Sequence, residues 1–243
     1  MLSRYIVVAR EDARARTTLR LAELGVSSSS ALLVSDLHCS EIPCKHADVL
    51  ARIMKHGACD TLIVLGDLFE RFHRRASCKE VVVSVLRTLR PLLEGARNIV
   101  YLTSWASHDP LIESPCTYDV NGLTIAVSPY PLRDEIGGVE VYLTHGDLAV
   151  GSGALAYAIN KFMCALGEDL YIEKRLKNAL GLPPHVWLVM GHTHIPGIDP
   201  KARVANTGGW KEKVWGWIPY WKQPSYTYIY ISEGKITLRW ATL

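Results

Sequence analysis

The sequence lacks several features that would assign it to a particular class of protein. None of its apolar runs approaches the roughly 18 residues that a membrane span requires. Its six cysteines form no C-x-x-C pair and no zinc-finger spacing. Residues 1–9 have neither the long apolar core nor the small-residue cleavage site of a signal peptide. We therefore expect a cytoplasmic protein without a membrane span, whose thiols are reduced and mostly buried.

An excess of charge of one sign is also missing. The formal net charge is only +3, and the lysines and arginines are dispersed along the chain. A nucleic-acid partner is therefore compatible with the sequence but not favoured, because it would need a basic groove. Apolar residues make up 49% and charged residues 21% of the 243 residues, which excludes a disordered chain. This length is enough for a large core, and a homodimer is compatible with it.

The feature that is present is a repeated event, in which an apolar run ends and a metal-binding side chain follows. The runs with their following residues are 31–35 with Asp36 and His38, 61–65 with Asp67, 98–102 with Ser107 and His108, 139–143 with His145, and 186–190 with His192 and His194. Short β-branched runs of this kind predict buried strands. Ligands gather at the carboxyl ends of strands in α/β sheets, so this pattern predicts a metal centre at one sheet edge.

The remaining pattern predicts an α/β protein in two halves. Helical spacing is present at about 46–56, 79–90, 153–167 and 169–180. Alternation of strand and helix up to residue 105 predicts parallel βαβ units. Later, Asn121-Gly122 predicts a hairpin, and residues 226–240 predict two further strands. We expect residues 1–30 to be an N-terminal extension with an edge strand and a cover helix at 10–24, and residues 31–243 to be the main domain with a helical insert at about 153–180.

The five clusters resemble a known family when they are taken in order. Asp36-x-His38, Gly66-Asp67, Ser107-His108-Asp109, His145-Gly146-Asp147 and Gly191-His192-Thr193-His194 resemble the successive blocks of the calcineurin-like metallophosphoesterases. The resemblance implies a four-layer α/β/β/α sandwich of two mixed β-sheets flanked by helices. It also implies one metal on Asp36, His38 and His194, a second on His145 and His192, and Asp67 as the bridge.

Within that family the chain has some similarity to the UDP-diacylglucosamine pyrophosphohydrolases. The similarity rests on Asp36-Leu37-His38, on Gly66-Asp67-Leu68-Phe69-Glu70 and on the helical insert. That subgroup usually has Arg where this chain has His108, so its substrate is not carried over. The third family block also usually contains Asn as a metal ligand, where this chain has Ser107. A Ser hydroxyl is a poorer ligand, so Ser107 implies a weaker second metal site.

The chemistry of these side chains agrees with the resemblance. Mixed carboxylate and imidazole ligands suit Mn²⁺, our first choice, or Fe²⁺, Zn²⁺ or Ni²⁺, rather than Ca²⁺. Two such ions about 3.5–4 Å apart polarise a phosphoryl oxygen and activate a bridging hydroxide for attack on phosphorus. We predict that His108 and Glu70 are catalytic, with His108 stabilising or protonating the leaving group. Arg71, Arg74 and Arg75 are predicted to clamp a substrate phosphate, although a solvated loop explains them equally well.

These predictions define a dinuclear metal-dependent phosphoesterase that hydrolyses a small phosphodiester or a nucleotide-linked pyrophosphate. Two alternatives stay open on the sequence alone. One is a nuclease of the same superfamily. The other is a metal-bound interaction scaffold, in which the change at Ser107 has weakened catalysis.

Overall fold

A computed structural model describes residues 17–57, 59–105, 108–214, 218–220 and 222–242. Most of its strands form two mixed β-sheets. The strands are β1 (Ser30–Val34), β2 (Thr61–Leu65), β3 (Asn98–Leu102), β4 (Cys116–Val120), β5 (Leu123–Ser128), β6 (Leu132–Ile136), β7 (Val139–Leu143), β8 (Trp187–Met190), β9 (Gly197–Asp199), β10 (Val204–Asn206), β11 (Lys213–Val214), β12 (Ile218–Pro219), β13 (Thr227–Ser232) and β14 (Lys235–Trp240). The α-helices are α1 (Ala47–Gly57), α2 (Cys78–Thr88), α3 (Gly153–Ala165) and α4 (Tyr171–Leu180).

The first sheet has seven strands in the order β14-β13-β1-β2-β3-β5-β4. Strands β1, β2, β3 and β5 are parallel, whereas β13, β14 and β4 run antiparallel to their neighbours. The second sheet has the order β6-β7-β8-β10-β9, with β7, β8 and β10 parallel. Because parallel strands point the same way, the loops that follow β1, β2 and β3 leave one edge of the first sheet together.

Three apolar layers hold these sheets and helices together. In β1, Leu32 and Val34 pack towards the layer that contains α1 and α2, whereas Ala31 and Leu33 pack into the layer between the two sheets. A third layer joins the second sheet to α3 and α4. Both faces of β1 are therefore covered, which explains its continuous apolar run. The predicted four-layer α/β/β/α sandwich is confirmed, and the residues predicted as a helical insert form its outer layer.

The N-terminal part of the chain is described only from residue 17. The predicted edge strand and most of the predicted cover helix lie outside the described residues. Of the described part of that helix, only Leu21–Leu24 is helical, as one 3₁₀ turn that Gly25 ends in a left-handed conformation. Leu21 and Leu24 are buried in the layer between the sheets.

Four of the six cysteines are paired, so the expectation of reduced thiols is wrong for them. Disulfides join Cys39 to Cys44 and Cys78 to Cys116. The free thiols are Cys59, which is buried, and Cys164, which is exposed. The Cys39–Cys44 bond ties the loop after β1 to the segment before α1. In the described parts of the chain, no helix has the length and apolar character that crossing a membrane would require.

Candidate metal centre

Loops from both sheets bring the predicted ligands to one place. Loops after β1, β2 and β3 supply carboxylates and imidazoles from the first sheet, and loops after β7 and β8 supply imidazoles from the second. Three overlapping groups have donor atoms that lie within 4.8 Å of one another: Asp36 with His38 and His194, Asp36 with Asp67 and His145, and His38 with Asp67 and His108. The two sheets therefore contribute to one cluster rather than to two separate sites.

The backbone of these loops is strained at the ligands themselves. Asp36, His38, Asp67, His192 and His194 all adopt positive φ angles, between 46° and 67°. A residue other than glycine in this left-handed region costs on the order of 1–3 kcal/mol, and such strain persists where the surroundings impose it, often at functional sites. The concentration of strain at five of the predicted ligands is independent support for a built site.

Asp67 occupies the central position of the cluster. Its Oδ2 lies 3.6 Å from Nε2 of His38, and its Oδ1 lies 3.7 Å from Nε2 of His145. These histidines come from different sheets. On the other side of the cluster, Nε2 of His194 lies 3.1 Å from Oδ1 of Asp36. One carboxylate thus faces an imidazole of each sheet, which is the arrangement that a bridging ligand requires.

The orientation of His38 fits a metal ion. Its Nδ1 lies 3.0 Å from Oε2 of Glu70, and a carboxylate beside that nitrogen favours the tautomer with the proton on Nδ1. Its Nε2 is buried and has no hydrogen-bond partner among the residues that the structure describes. Burial lowers the pKa of His38 to about 4, which keeps the ring neutral at pH 7. A neutral imidazole whose second nitrogen is held by a carboxylate is a typical metal ligand.

His145 and His192 are oriented in the same way. Nδ1 of His145 donates to the Leu65 carbonyl at 2.8 Å, and Nε2 of His192 donates to the Val150 carbonyl at 2.6 Å. Nε2 of His145 and Nδ1 of His192 lie 3.0 Å apart. If both rings were neutral, the lone pairs on these two nitrogens would face and repel each other. Burial alone would lower the pKa of His145, but nearby carboxylates, led by Asp67, raise it to about 9. The site favours a positive charge there, which a divalent ion would supply.

Asp109, next to His108, holds the turn that carries Asp67. Its carboxylate is fully buried and accepts hydrogen bonds from the backbone N–H groups of Asp67 (2.7 Å), Leu68 (3.1 Å) and Ser104 (2.8 Å). The Ser104 hydroxyl donates to Oδ1 of Asp67 at 2.6 Å. Asp109 therefore fixes the position of Asp67, and it does not belong to any of the three groups of possible metal donors.

A buried polar network that the sequence analysis missed holds the loop of His192 and His194. The Glu173 carboxylate on α4 is fully buried and accepts from Asn160 (2.8 Å), Asn206 (2.7 Å) and Thr193 (3.1 Å). Asn206 also donates to the Gly191 carbonyl at 2.7 Å. Burial raises the pKa of Glu173. Buried polar groups paired in this way fix a single loop geometry.

A buried lysine that the sequence analysis also missed accompanies Glu70. Nζ of Lys211 lies 3.1 Å from Oε2 of Glu70 and 3.5 Å from Nδ1 of His38. Burial would raise the pKa of Glu70, but His38 and Lys211 hold it down at about 2. Glu70, predicted to be catalytic, contacts the far nitrogen of His38 rather than the one that faces Asp67. We therefore expect it to position His38.

We predict that Glu70→Gln weakens binding of one divalent ion by about 10–100-fold, because such outer carboxylates orient ligating histidines. Metal titration followed by calorimetry measures this, and exposed Glu113→Gln is the matched control. An unchanged affinity in Glu70→Gln would remove the positioning role.

The remaining predicted site residues fall into three groups. His108 belongs to the third donor group; its Nδ1 lies 2.9 Å from the Glu70 carbonyl, and its ring centroid lies 4.5 Å from that of His38. All three predicted arginines are exposed; Arg71 and Arg74 also line a cavity beside Glu70, whereas Arg75 lies 3.9 Å from Glu113. Ser107 lies outside the described residues.

Among the comparisons with known proteins, only the search of solved structures found proteins similar to this chain. No protein-family model and no curated protein matches the sequence. A predicted phosphoesterase from Streptococcus pneumoniae is 15% identical over 88% of both chains, with a TM-score of 0.39. Vps29 from Entamoeba histolytica in complex with zinc is 16% identical over 86% of this chain and 89% of its own, with a TM-score of 0.44. YfcE, a phosphoesterase from E. coli, is 15% identical over 83% and 87%, with a TM-score of 0.39. Because these similarities are weak, the fold is assigned from the strands and helices of this chain and not from these structures.

Proposed function

We propose that this protein is a metal-dependent phosphoesterase with two divalent ions. The observation that carries the proposal is Asp67, whose two carboxylate oxygens face His38 of the first sheet and His145 of the second. Asp36, His38 and His194 would hold one ion, and His145 and His192 the other. Such a pair of ions polarises a phosphoryl oxygen and lowers the pKa of a bound water.

The nature of the donors supports the choice of metal. All the proposed ligands offer nitrogen or oxygen atoms, and no thiolate belongs to the donor groups found in the described residues. Carboxylate and imidazole donors suit Mn²⁺, Fe²⁺, Zn²⁺ and Ni²⁺, and we propose Mn²⁺ as the first to be tested.

The chain's own residues would position the substrate and move one proton. His108 donates through Nδ1 to the Glu70 carbonyl, so Nε2 is the nitrogen that is free to carry the exchanged proton. Hydrolysis forms a bond from the water oxygen to phosphorus and breaks the bond from phosphorus to the leaving oxygen. For this step His108 would carry a proton on both nitrogens and would give the Nε2 proton to the leaving oxygen, while the proton that the attacking water loses would pass to solvent.

The proposed activity is tested by hydrolysis with metal-stripped protein before and after Mn²⁺ is added back. The panel contains a phosphomonoester, a phosphodiester, a nucleotide-sugar pyrophosphate and single-stranded DNA. We expect metal-dependent turnover of the phosphodiester or the pyrophosphate. Preference for DNA, with affinity that falls steeply with salt, would favour a nuclease instead. Absence of turnover by metal-loaded protein would favour a scaffold.

His108→Ala separates the proton-donor role from a role as a ligand. We predict a loss of about 10²–10⁴-fold in kcat on a methyl phosphodiester, whose alkoxide leaving group needs a proton. The loss should be much smaller on a p-nitrophenyl phosphodiester, whose leaving group needs none. Exposed His73→Ala is the matched control and should leave both rates unchanged. Equal losses on the two substrates would contradict the proton-donor role.

A further inference from the structure

A groove with a volume of about 450 Å³ lies between the C-terminal half of α1 and the strands β13 and β14 of the first sheet. Arg52 and His56 of α1 line one side, and Tyr230, Arg239 and Trp240 line the other. None of the proposed metal ligands belongs to its described lining, so the groove is separate from the candidate metal centre. We refer to it as the Trp240 groove.

The register of β13 and β14 explains why the groove is open. Tyr230 packs towards α1, and its hydroxyl donates to the Gly57 carbonyl at 3.0 Å, so α1 covers the sheet as far as β13. Arg239 lies directly opposite Tyr228 in the antiparallel pair, which places it on the same outer face of the sheet. Arg239 and Trp240 are exposed, so this end of β14 is not covered by α1.

The charges in the Trp240 groove favour an anionic partner. Arg52, His56 and Arg239 are all exposed, and the described lining contains no carboxylate side chain. Within the part of the chain that the structure describes, neither arginine forms an ion pair. Basic residues are dispersed along the sequence, but folding brings these three into one groove. Both guanidinium groups are therefore available to bind phosphate.

Aromatic side chains accompany these charges. The Arg239 guanidinium lies 4.6 Å from the centre of the Tyr230 ring, so the two stack on each other. Trp240, the next residue, is 67% exposed. An exposed indole beside guanidinium groups is a surface on which planar bases stack.

A single-stranded nucleic acid matches both features of the groove. Its phosphates pair with guanidinium groups, and its unpaired bases offer flat faces to aromatic side chains. A duplex keeps those faces inside its own stack, and an acidic peptide offers carboxylates without bases. The combination of charge and exposed aromatic surface therefore favours a single strand over either of these partners.

We propose that the Trp240 groove binds single-stranded nucleic acid. One base stacks on Trp240, and phosphates of the strand pair with Arg52 and Arg239. This binding needs no metal ion, because no proposed metal ligand contributes to the groove. The groove is thus a second site, in addition to that of the proposed phosphoesterase.

Fluorescence anisotropy on the full chain tests the proposal, in EDTA so that metal-dependent hydrolysis does not remove the probe. The probe is a labelled single-stranded oligoadenylate of about 12 nucleotides, within the range of about 4–16 that such sites span. We expect the same strand in a duplex, and free AMP, to bind at least about 10-fold more weakly. Polyglutamate, which supplies negative charge without bases, should not displace the probe.

Variants of the groove separate stacking from charge. Trp240→Ala should weaken binding by about 5–150-fold, the equivalent of one stacked base. Arg239→Gln should weaken binding and reduce the slope of log affinity against log salt by about 0.7, the value for one phosphate of a single strand. Exposed Phe162→Ala on α3 and Arg175→Gln on α4 are the matched controls and should bind as the parent does.

Three results would overturn the inference. The first is that the single strand does not bind. The second is that AMP, the duplex or polyglutamate binds as tightly as the single strand. The third is that Trp240→Ala and Arg239→Gln, folded as judged by their melting temperatures, bind the strand as the parent does. Because binding is measured without metal, each result is independent of whether Mn²⁺-dependent hydrolysis is found.

Discussion

Replacing Asp67 with Asn is expected to reduce kcat/KM for a phosphodiester by about 10³-fold or more. The change keeps the shape of the side chain but removes the charge that faces His38 and His145 at 3.6 and 3.7 Å. Stabilisation of transition-state charge by bound metal ions is worth several kcal/mol, and each 1.4 kcal/mol is about tenfold in rate. Steady-state kinetics with saturating Mn²⁺ measure the loss.

The control for this variant is Asp48→Asn, the same chemical change at an exposed position in the first turn of α1. Its rate should match that of the parent. If Asp67→Asn retained more than about a tenth of the parent rate at saturating Mn²⁺, Asp67 would not bridge two catalytic ions.

Gly66→Ala is expected to destabilise the fold and disrupt the second metal site together. Gly66 has φ +80°, and a Cβ there would lie 2.5 Å from Nδ1 of His145, the nitrogen that donates to the Leu65 carbonyl. The substitution adds backbone strain of about 1–2 kcal/mol and an overpacking cost of about 1–3 kcal/mol. We expect the free energy of unfolding to fall by about 3 kcal/mol, as measured by urea denaturation.

Gly122→Ala isolates the contact with His145 from the backbone strain. Gly122 has φ +83°, nearly the same as Gly66, but a Cβ there meets nothing within 4 Å. We expect this variant to lose only about 1–2 kcal/mol of stability and to keep the parent's Mn²⁺ affinity. Equal losses of stability and of metal affinity in the two variants would show that the Gly66 contact does not matter.

Much of the fold can be predicted from the sequence, and so can the residues that come together in the candidate site, because both depend on local patterns. The apolar run at 31–35 and the helical spacing at about 46–56 predict the strand observed at Ser30–Val34 and the helix observed at Ala47–Gly57. Asp36 and His194 are predicted as ligands because each follows a buried run, but the prediction of one sheet edge is wrong, because Asp36 follows a strand of the first sheet and His194 follows a strand of the second.

The supporting residues could not be predicted, because their roles depend on contacts between distant parts of the chain. Glu173 lies on a mostly polar helix, and only the packing of α4 against β10 shows that its carboxylate is buried with Asn206. Lys211 contacts Glu70, which lies 141 positions earlier in the chain, and no local sequence pattern predicts that contact. Likewise, the pairing of Cys78 with Cys116 depends on the position of β4.

The most direct test of the account is the number of Mn²⁺ ions that the chain binds. Equilibrium dialysis would compare the parent with His38→Ala, which alters a ligand from the first sheet, and with His145→Ala, which alters one from the second. We predict two ions per parent chain and one tightly bound ion in each variant. A parent that binds one ion or none would contradict a dinuclear centre assembled from both sheets.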